Sequence, residues 1–307
     1  VMIDIKLIRE NPDLVRENIK KKFQDDKLPL VDEVIKLDEK WRKLKFDEDD
    51  MRSKRNKISK AVGEAMKAGK KSEAEKLKKE AKKIPEEISK SEAKRKKLEE
   101  EITKIMYKFP NIMHESVPKG KEEEDNKELR KNGKIPKFNF KPKSHIEIVE
   151  DLEMVDTLRG SKVAGSRFYY LKSDLVLLNS ALQRFAMDFL VKKGYILVQP
   201  PYMLNRDAIG GAVSLEDFEE SIYKIENEDL YLIGTSEHAL ATYYMNEIID
   251  TKKPIKLAGV SSCFRKEAGS HGKDTKGIYR VHRFEKIEQF VFCKPEDEKK
   301  IFDEIIN

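Results

Sequence analysis

Val62-Gly63-Glu64-Ala65-Met66-Lys67-Ala68-Gly69-Lys70-Lys71-Ser72-Glu73-Ala74-Glu75-Lys76-Leu77 joins two apolar stripes that mirror each other. Upstream, Leu30, Val34, Leu37, Trp41, Leu44, Met51, Ile58, Val62 and Ala65 recur in alternating steps of four and three. Glu48 and Arg55 fill the two skipped slots. Downstream, Leu77, Ala81, Ile84, Ile88, Leu98, Ile102, Ile105 and Phe109 repeat the pattern, with Ser91 and Arg95 in register. A period of 3.5 residues is a coiled-coil seam. Val62 with Leu77, Met51 with Ile88, Trp41 with Leu98 and Val34 with Ile105 are pairs whose numbers each add to 139. That relation predicts an antiparallel helical hairpin over about 31–108 with its tip near 69–70, and it sets Glu48 opposite Ser91 and Arg55 opposite Ile84. Gly69 suits a left-handed helix end. Ser72 and Glu75 have the spacing of a capping box for the second helix. Each arm should reach roughly 50 Å at about 1.5 Å per residue. Pro85 should kink or interrupt the second helix.

Charge on this hairpin is segregated. Residues 52–83 hold 13 Lys/Arg against 4 Asp/Glu, whereas 31–51 and 84–108 together hold 12 against 14. A cationic outer half, with Lys70, Lys71, Lys78 and Lys79 near the tip, suits contact with phosphates. Charge alone also fits a solvated coiled coil or a protein-interaction arm.

Before the hairpin, Pro12 is placed in the first turn of a helix whose buried stripe is Leu14, Val15 and Ile19. Residues 1–109 thus form an N-terminal arm domain. Residues 110–145, rich in Pro, Gly, Lys and Glu, read as a linker, and 146–307 turn globular. There, Leu175 to Val191 reads as an amphipathic helix with Leu178, Leu182, Phe185, Phe189 and Leu190 on one face. Tyr195 to Val198 reads as a buried strand ending at Pro200-Pro201. Leu230 to Gly234 is a second strand, followed by Thr235-Ser236-Glu237 and a helix from about His238 to Ile249. The triplet fits substrate contacts at a strand end and equally a helix cap. A last helix is expected over Glu296 to Ile306.

Cys263-Phe264-Arg265-Lys266-Glu267, a loop over Gly269 to Gly277, and Tyr279 to Phe292 read as an antiparallel strand pair with a long connection. Val281, Arg283, Glu285 and Ile287 share one strand face; His282, Phe284, Lys286 and Glu288 share the other. Arg265 can clamp a phosphate. Glu267 and Glu288 can accept from an amine or a hydroxyl, and Phe284 can stack on a base. Cross-strand ion pairing explains the Arg-x-Glu spacings just as well. His271 and His282 read as loop histidines, and no nucleophile–base pair is evident.

The chain has 307 residues, a net charge of +6, 39% charged and 38% apolar residues. That permits two domains and an anionic partner. The two cysteines, Cys263 and Cys293, do not suggest a disulfide framework, and no Cys/His spacing predicts structural zinc. Apolar runs fall short of a membrane span, and without a signal region the expected setting is cytoplasmic.

In this order the motifs resemble those of the class II aminoacyl-tRNA synthetases, and within them the seryl-tRNA synthetases. Met2 to Pro12 is similar to that family's opening, His114-Glu115-Ser116-Val117-Pro118 to its segment after the arm, and Lys162 to Tyr169 to its entry into the catalytic domain. Gly194 to Met203 resembles motif 1, with Pro201 at the proline position; Thr235-Ser236-Glu237 resembles the T-x-E motif; Phe264 to Phe290 resembles motif 2.

The resemblance implies an α+β fold in which the coiled-coil hairpin precedes an antiparallel sheet flanked by helices. It implies dimerisation through motif 1 and ATP-dependent activation of L-serine. Transfer to tRNA(Ser) follows, with Mg²⁺ accompanying ATP. Arg265 would hold the α-phosphate, Arg280 the outer phosphates, and Phe284 would pack on adenine. Glu267 would contact the base, and Lys266 and Val281 would also bind ATP. Thr235, Ser236, Glu237 and Glu288 would hold serine. The later motif 3 is not found, so the chain reads as a truncated product, expected to be inactive and to expose part of its core face. Two other functions remain open: a non-catalytic RNA-binding protein built on the same scaffold, and a paralogue charging a carrier protein.

Overall fold

The computed structural model describes residues 3–213, 220–267 and 278–307. The chain divides into two compact units, Val1–Gly133 and Lys134–Asn307.

In the first unit, Asp4 accepts from Lys6 N–H to open α1 (Ile5–Glu10). Asn11 caps α2 (Pro12–Lys21) through Leu14 N–H, with Pro12 in its first turn, where a missing N–H costs nothing. Val15 and Ile19 are fully buried, but Asn18 replaces Leu14 on that face. Its amide donates to Asn111 O at 3.0 Å and accepts from Met113 N at 2.8 Å, so the segment leaving the hairpin is tied back to α2. α3 (Leu28–Lys67) and α4 (Lys71–Met106) form the hairpin. Their inner ends join Ile8, Val15 and Ile19 in one core through Val31, Val34, Ile102 and Ile105. Buried Asp38 receives Arg9 Nε at 2.7 Å and Arg42 Nε at 2.9 Å.

The mirrored register holds. Ser91 Oγ donates to Glu48 Oε1 at 3.2 Å, and Arg95 Nε reaches Oε2 at 3.0 Å. Glu48 is fully buried, whereas Arg55 stays exposed. The Arg95 guanidinium also lies 5.7 Å from the Trp41 ring. At the tip Gly69 has φ +73°. Gly69 N–H bonds to Met66 O and Lys70 N–H to Ala65 O, the pattern of a left-handed glycine cap. The capping-box expectation fails: α4 already starts at Lys71, after Lys70 with no side-chain cap, so Ser72 lies inside the helix. Nor does Pro85 interrupt α4, which continues through it between buried Ile84 and Ile88. Packing of those neighbours offsets the one lost backbone bond. Lys70, Lys71, Lys78 and Lys79 are exposed.

In the second unit, Ser144 and Glu147 form a reciprocal cap for α5 (His145–Asp151). β1 (Val155–Asp156) and β2 (Tyr170–Leu171) pair around α6 (Thr157–Ala164). α7 (Asp174–Lys192) leads to β3 (Ile196–Val198). β4 (Met203–Asn205) passes into α8 (Arg206–Ala212) and pairs antiparallel with β5 (Leu230–Leu232). α9 (Ser236–Ala241) follows, ending well short of Ile249. β6 (Ile255–Phe264) and β7 (Arg283–Phe292) form the long antiparallel pair, with β3 added parallel to β6. α10 (Glu298–Ile306) follows a short turn. Leu190, Tyr195 and Ala258 make one core, and Leu204, Ile209, Tyr231 and Ile233 another.

One expectation needs correction here. β3 is not buried: Ile196 and Leu197 are exposed. On α7, Leu190 is buried but Leu178, Leu182, Phe185 and Phe189 face solvent, Phe185 at 71%. The apolar face exists, but none of the described residues covers it.

Candidate active site

β6 and β7 set the site by register: Gly259 stands opposite Glu288 and Cys263 opposite Phe284. α9 packs against β6 at Gly259, where an added Cβ would fall 2.6 Å from Ser236 Oγ. That close approach requires glycine and brings the start of α9 within reach of Glu288. Thr235 and Ser236 both donate to Glu288 Oε2, the latter at 2.9 Å, and Glu237 N–H adds a third bond at 3.1 Å. Lys286 Nζ bonds to Oε1 at 2.6 Å and to Thr235 Oγ1 at 2.9 Å. Burial works against ionisation of Glu288. The bonds from Lys286 and Thr235 and the Lys286 charge outweigh it and hold the carboxyl below its usual range. Thr235 thus caps α9 and belongs to this network at once.

The other wall follows β6. Arg265 Nε donates to Gly234 O at 3.1 Å, and its guanidinium lies 5.1 Å from the Phe284 ring. Glu267, with φ +51°, pairs through Oε2 with Arg280 Nε at 3.0 Å, and its carbonyl receives Arg167 at 3.2 Å. Lys266 N–H bonds to Ser221 O, and its ammonium lies 5.9 Å from the Tyr223 ring. Val281 is buried. His282 is a loop residue, as expected, but an occupied one. Its Nδ1 donates to Arg265 O at 2.8 Å and lies 3.1 Å from the Tyr223 hydroxyl, with Phe168 stacked on the ring at 4.8 Å. On the opposite strand face, Arg283 and Glu285 do pair, sharing Ser262. The Gly269 to Gly277 loop and His271 lie outside the described residues.

Thr235, Glu237, His238, Arg265, Glu267 and Arg280 line one cleft of about 440 Å³. Glu288 is not in its lining; its carboxylate is spent on holding the triplet. Pro201 lies between β3 and β4, exposed. The cleft therefore combines cations, carboxylates and hydroxyls, a set suited to the charged parts of a nucleotide and to a small zwitterion, while Phe284 stands beside Arg265 outside the lining. Sequence reasoning missed His238, Lys286 and Gly259. His238 is buried, its Nδ1 accepts from Gly234 N–H at 3.3 Å, and burial lowers its pKa to about 4.

Residues 219–307 match the model of the tRNA synthetase class II core domain (G, H, P, S and T), so this segment is of the class II aminoacyl-tRNA synthetase type. Residues 2–113 match the seryl-tRNA synthetase N-terminal domain. The chain is 48% identical to the serine–tRNA ligase of Nitrosopumilus maritimus over 99% of its own length and 72% of the relative's. With that of Pyrococcus abyssi the identity is 46%, covering 99% and 71%. Among solved structures, seryl-tRNA synthetase from Pyrococcus horikoshii complexed with ATP superposes with a TM-score of 0.86 at 44% identity, covering 99% of this chain and 72% of that one. The cytoplasmic serine–tRNA ligase of Naegleria fowleri in complex with AMP gives 0.79 at 37%, covering 100% and 74%. The chain belongs to the seryl-tRNA synthetase family.

Proposed function

We propose that this chain serves ATP-dependent charging of tRNA(Ser) with L-serine. The observation that carries the reading is the Thr235-Ser236-Glu237 triplet, locked by Glu288 and Lys286, opening on the same cleft as Arg265. In the first step a serine carboxylate oxygen attacks the ATP α-phosphorus and pyrophosphate leaves. In the second a terminal ribose hydroxyl of the tRNA attacks the seryl carbonyl and AMP leaves. Both steps depend on positioning and on placing cations where charge develops.

Arg265 meets the α-phosphate, and Phe284 beside it offers a flat face to adenine. Arg280, paired with Glu267 at 3.0 Å, serves the outer phosphates, and Glu267 accepts from the base; Lys266 and Val281 also bind ATP. Thr235 and Glu237 receive the serine ammonium and hydroxyl, and Glu288 acts through them. Any Mg²⁺ would be held chiefly by the ATP phosphate oxygens. Its contribution would be to share phosphate charge. The uncovered apolar face of α7, next to the segment bearing Pro201, supports a homodimer. The basic outer hairpin supports tRNA binding, and a cytoplasmic setting goes with that substrate. Among the described residues no helix is long and apolar enough to cross a membrane.

The test is calorimetric titration with non-hydrolysable sulfamoyl mimics of seryl- and alanyl-adenylate. A site that bonds the hydroxyl should prefer the seryl compound by ~100-fold or more, and Glu237→Ala should erase the preference. Equal affinity for both compounds in the unmodified chain sinks the serine assignment.

A further inference from the structure

Gly234 sits between two side chains. A Cβ there would lie 3.3 Å from His238 Cε1 and 3.9 Å from Arg265 Cγ. Its two polar groups are used in opposite directions. The N–H donates to His238 Nδ1 at 3.3 Å, and the carbonyl accepts from Arg265 Nε at 3.1 Å. Ile233 is pinned alongside, with Ile233 N–H to Tyr202 O and Phe264 N–H to Ile233 O, each at 2.9 Å. His238 is buried but lines the cleft.

We propose that His238 is a positioning residue: by holding the Gly234 N–H it fixes the carbonyl that aims Arg265 at the phosphate of a bound adenine nucleotide. The inference rests on the reading of Arg265 as the phosphate contact. The neutral ring is the form required, because an Nδ1 that accepts cannot carry a proton. Burial favours that form. His238 has no need to touch ATP. Its effect passes through two backbone hydrogen bonds, and a histidine so placed matters for the nucleotide's charged part rather than for its base.

Two polar replacements separate this from a packing role. Asparagine can place its Oδ1 where the imidazole Nδ1 was; glutamine carries its oxygen one bond too far. ATP and adenosine are titrated into the unmodified chain, His238→Asn, His238→Gln and Arg265→Ala, with thermal unfolding as a check on folding. The expected result is that Gln weakens ATP roughly fivefold, the size of one neutral hydrogen bond. Adenosine affinity should stay unchanged, Asn should retain ATP affinity, and Arg265→Ala should lose the preference for ATP over adenosine. Equal weakening of ATP and adenosine in the Gln variant, or equal behaviour of Asn and Gln, overturns the inference. If Arg265→Ala keeps the preference for ATP, the reading of Arg265 fails and this inference fails with it. If Arg265→Ala loses it while Gln is silent, the inference alone fails.

Discussion

His238 shows how one buried side chain can carry both a site and a pH dependence. Its pKa falls from the ordinary 6.5 to about 4, chiefly by burial; Glu288 pulls it up, while Arg265 and Lys286 push it down. The unfolded chain therefore binds a proton near pH 6.5 that the folded chain refuses until near pH 4. This contribution to stability is complete above 6.5 and is lost as the pH falls toward 4, with a slope approaching ~1.4 kcal/mol per pH unit. Glu288, held below its usual range, adds a loss of the same sign at the acid end. Urea unfolding at pH 7, 6 and 5 should show His238→Asn markedly less pH-sensitive than the unmodified chain. Parallel curves for the two would mean that His238 is not held neutral by burial.

At the level of elements, the hairpin was legible because its information is periodic. Two stripes with one mirror relation place Glu48 opposite Ser91, and the 3.2 Å bond between them is the result. Thr235, Arg265 and Glu288 were legible for a different reason: short motifs in a fixed order carry them. What stayed hidden depends on tertiary contact. Nothing local marks Gly259 as the place where α9 touches β6, or Lys286 as the cation that sets Glu288. Helix ends were misplaced as well: α9 stops at Ala241 and α4 starts before Ser72, and boundaries are the part of a helix that sequence pattern marks least sharply. Glu48 also makes the hairpin testable. Its partner Arg95 is 21% exposed, so Glu48→Ala should cost about 3 kcal/mol, the low end for a broken buried pair. The denaturation midpoint measures this, and a change under about 0.5 kcal/mol would show that the pair contributes little.

At the scale of the whole molecule, two surfaces call for partners of opposite character. The face of α7 bearing Leu178, Leu182, Phe185 and Phe189 is exposed and apolar, the kind of patch that soluble monomers rarely keep open. If it is a dimer seam, Leu182→Glu with Phe185→Glu should convert a sedimenting dimer to monomer, and an unchanged sedimentation coefficient would remove α7 from the interface. The outer hairpin has the opposite chemistry, with 13 Lys/Arg against 4 Asp/Glu over 52–83. The amino-acid cleft and this arm have to serve one tRNA if the account is right. The most direct test is the affinity for tRNA(Ser) across a range of salt concentrations, for the unmodified chain and for one with Lys70, Lys71, Lys78 and Lys79 reversed to glutamate. The account predicts weaker binding in the variant and a log–log salt slope flatter by roughly 0.7–0.9 for each phosphate that the arm no longer neutralises. An unchanged affinity and slope would contradict it.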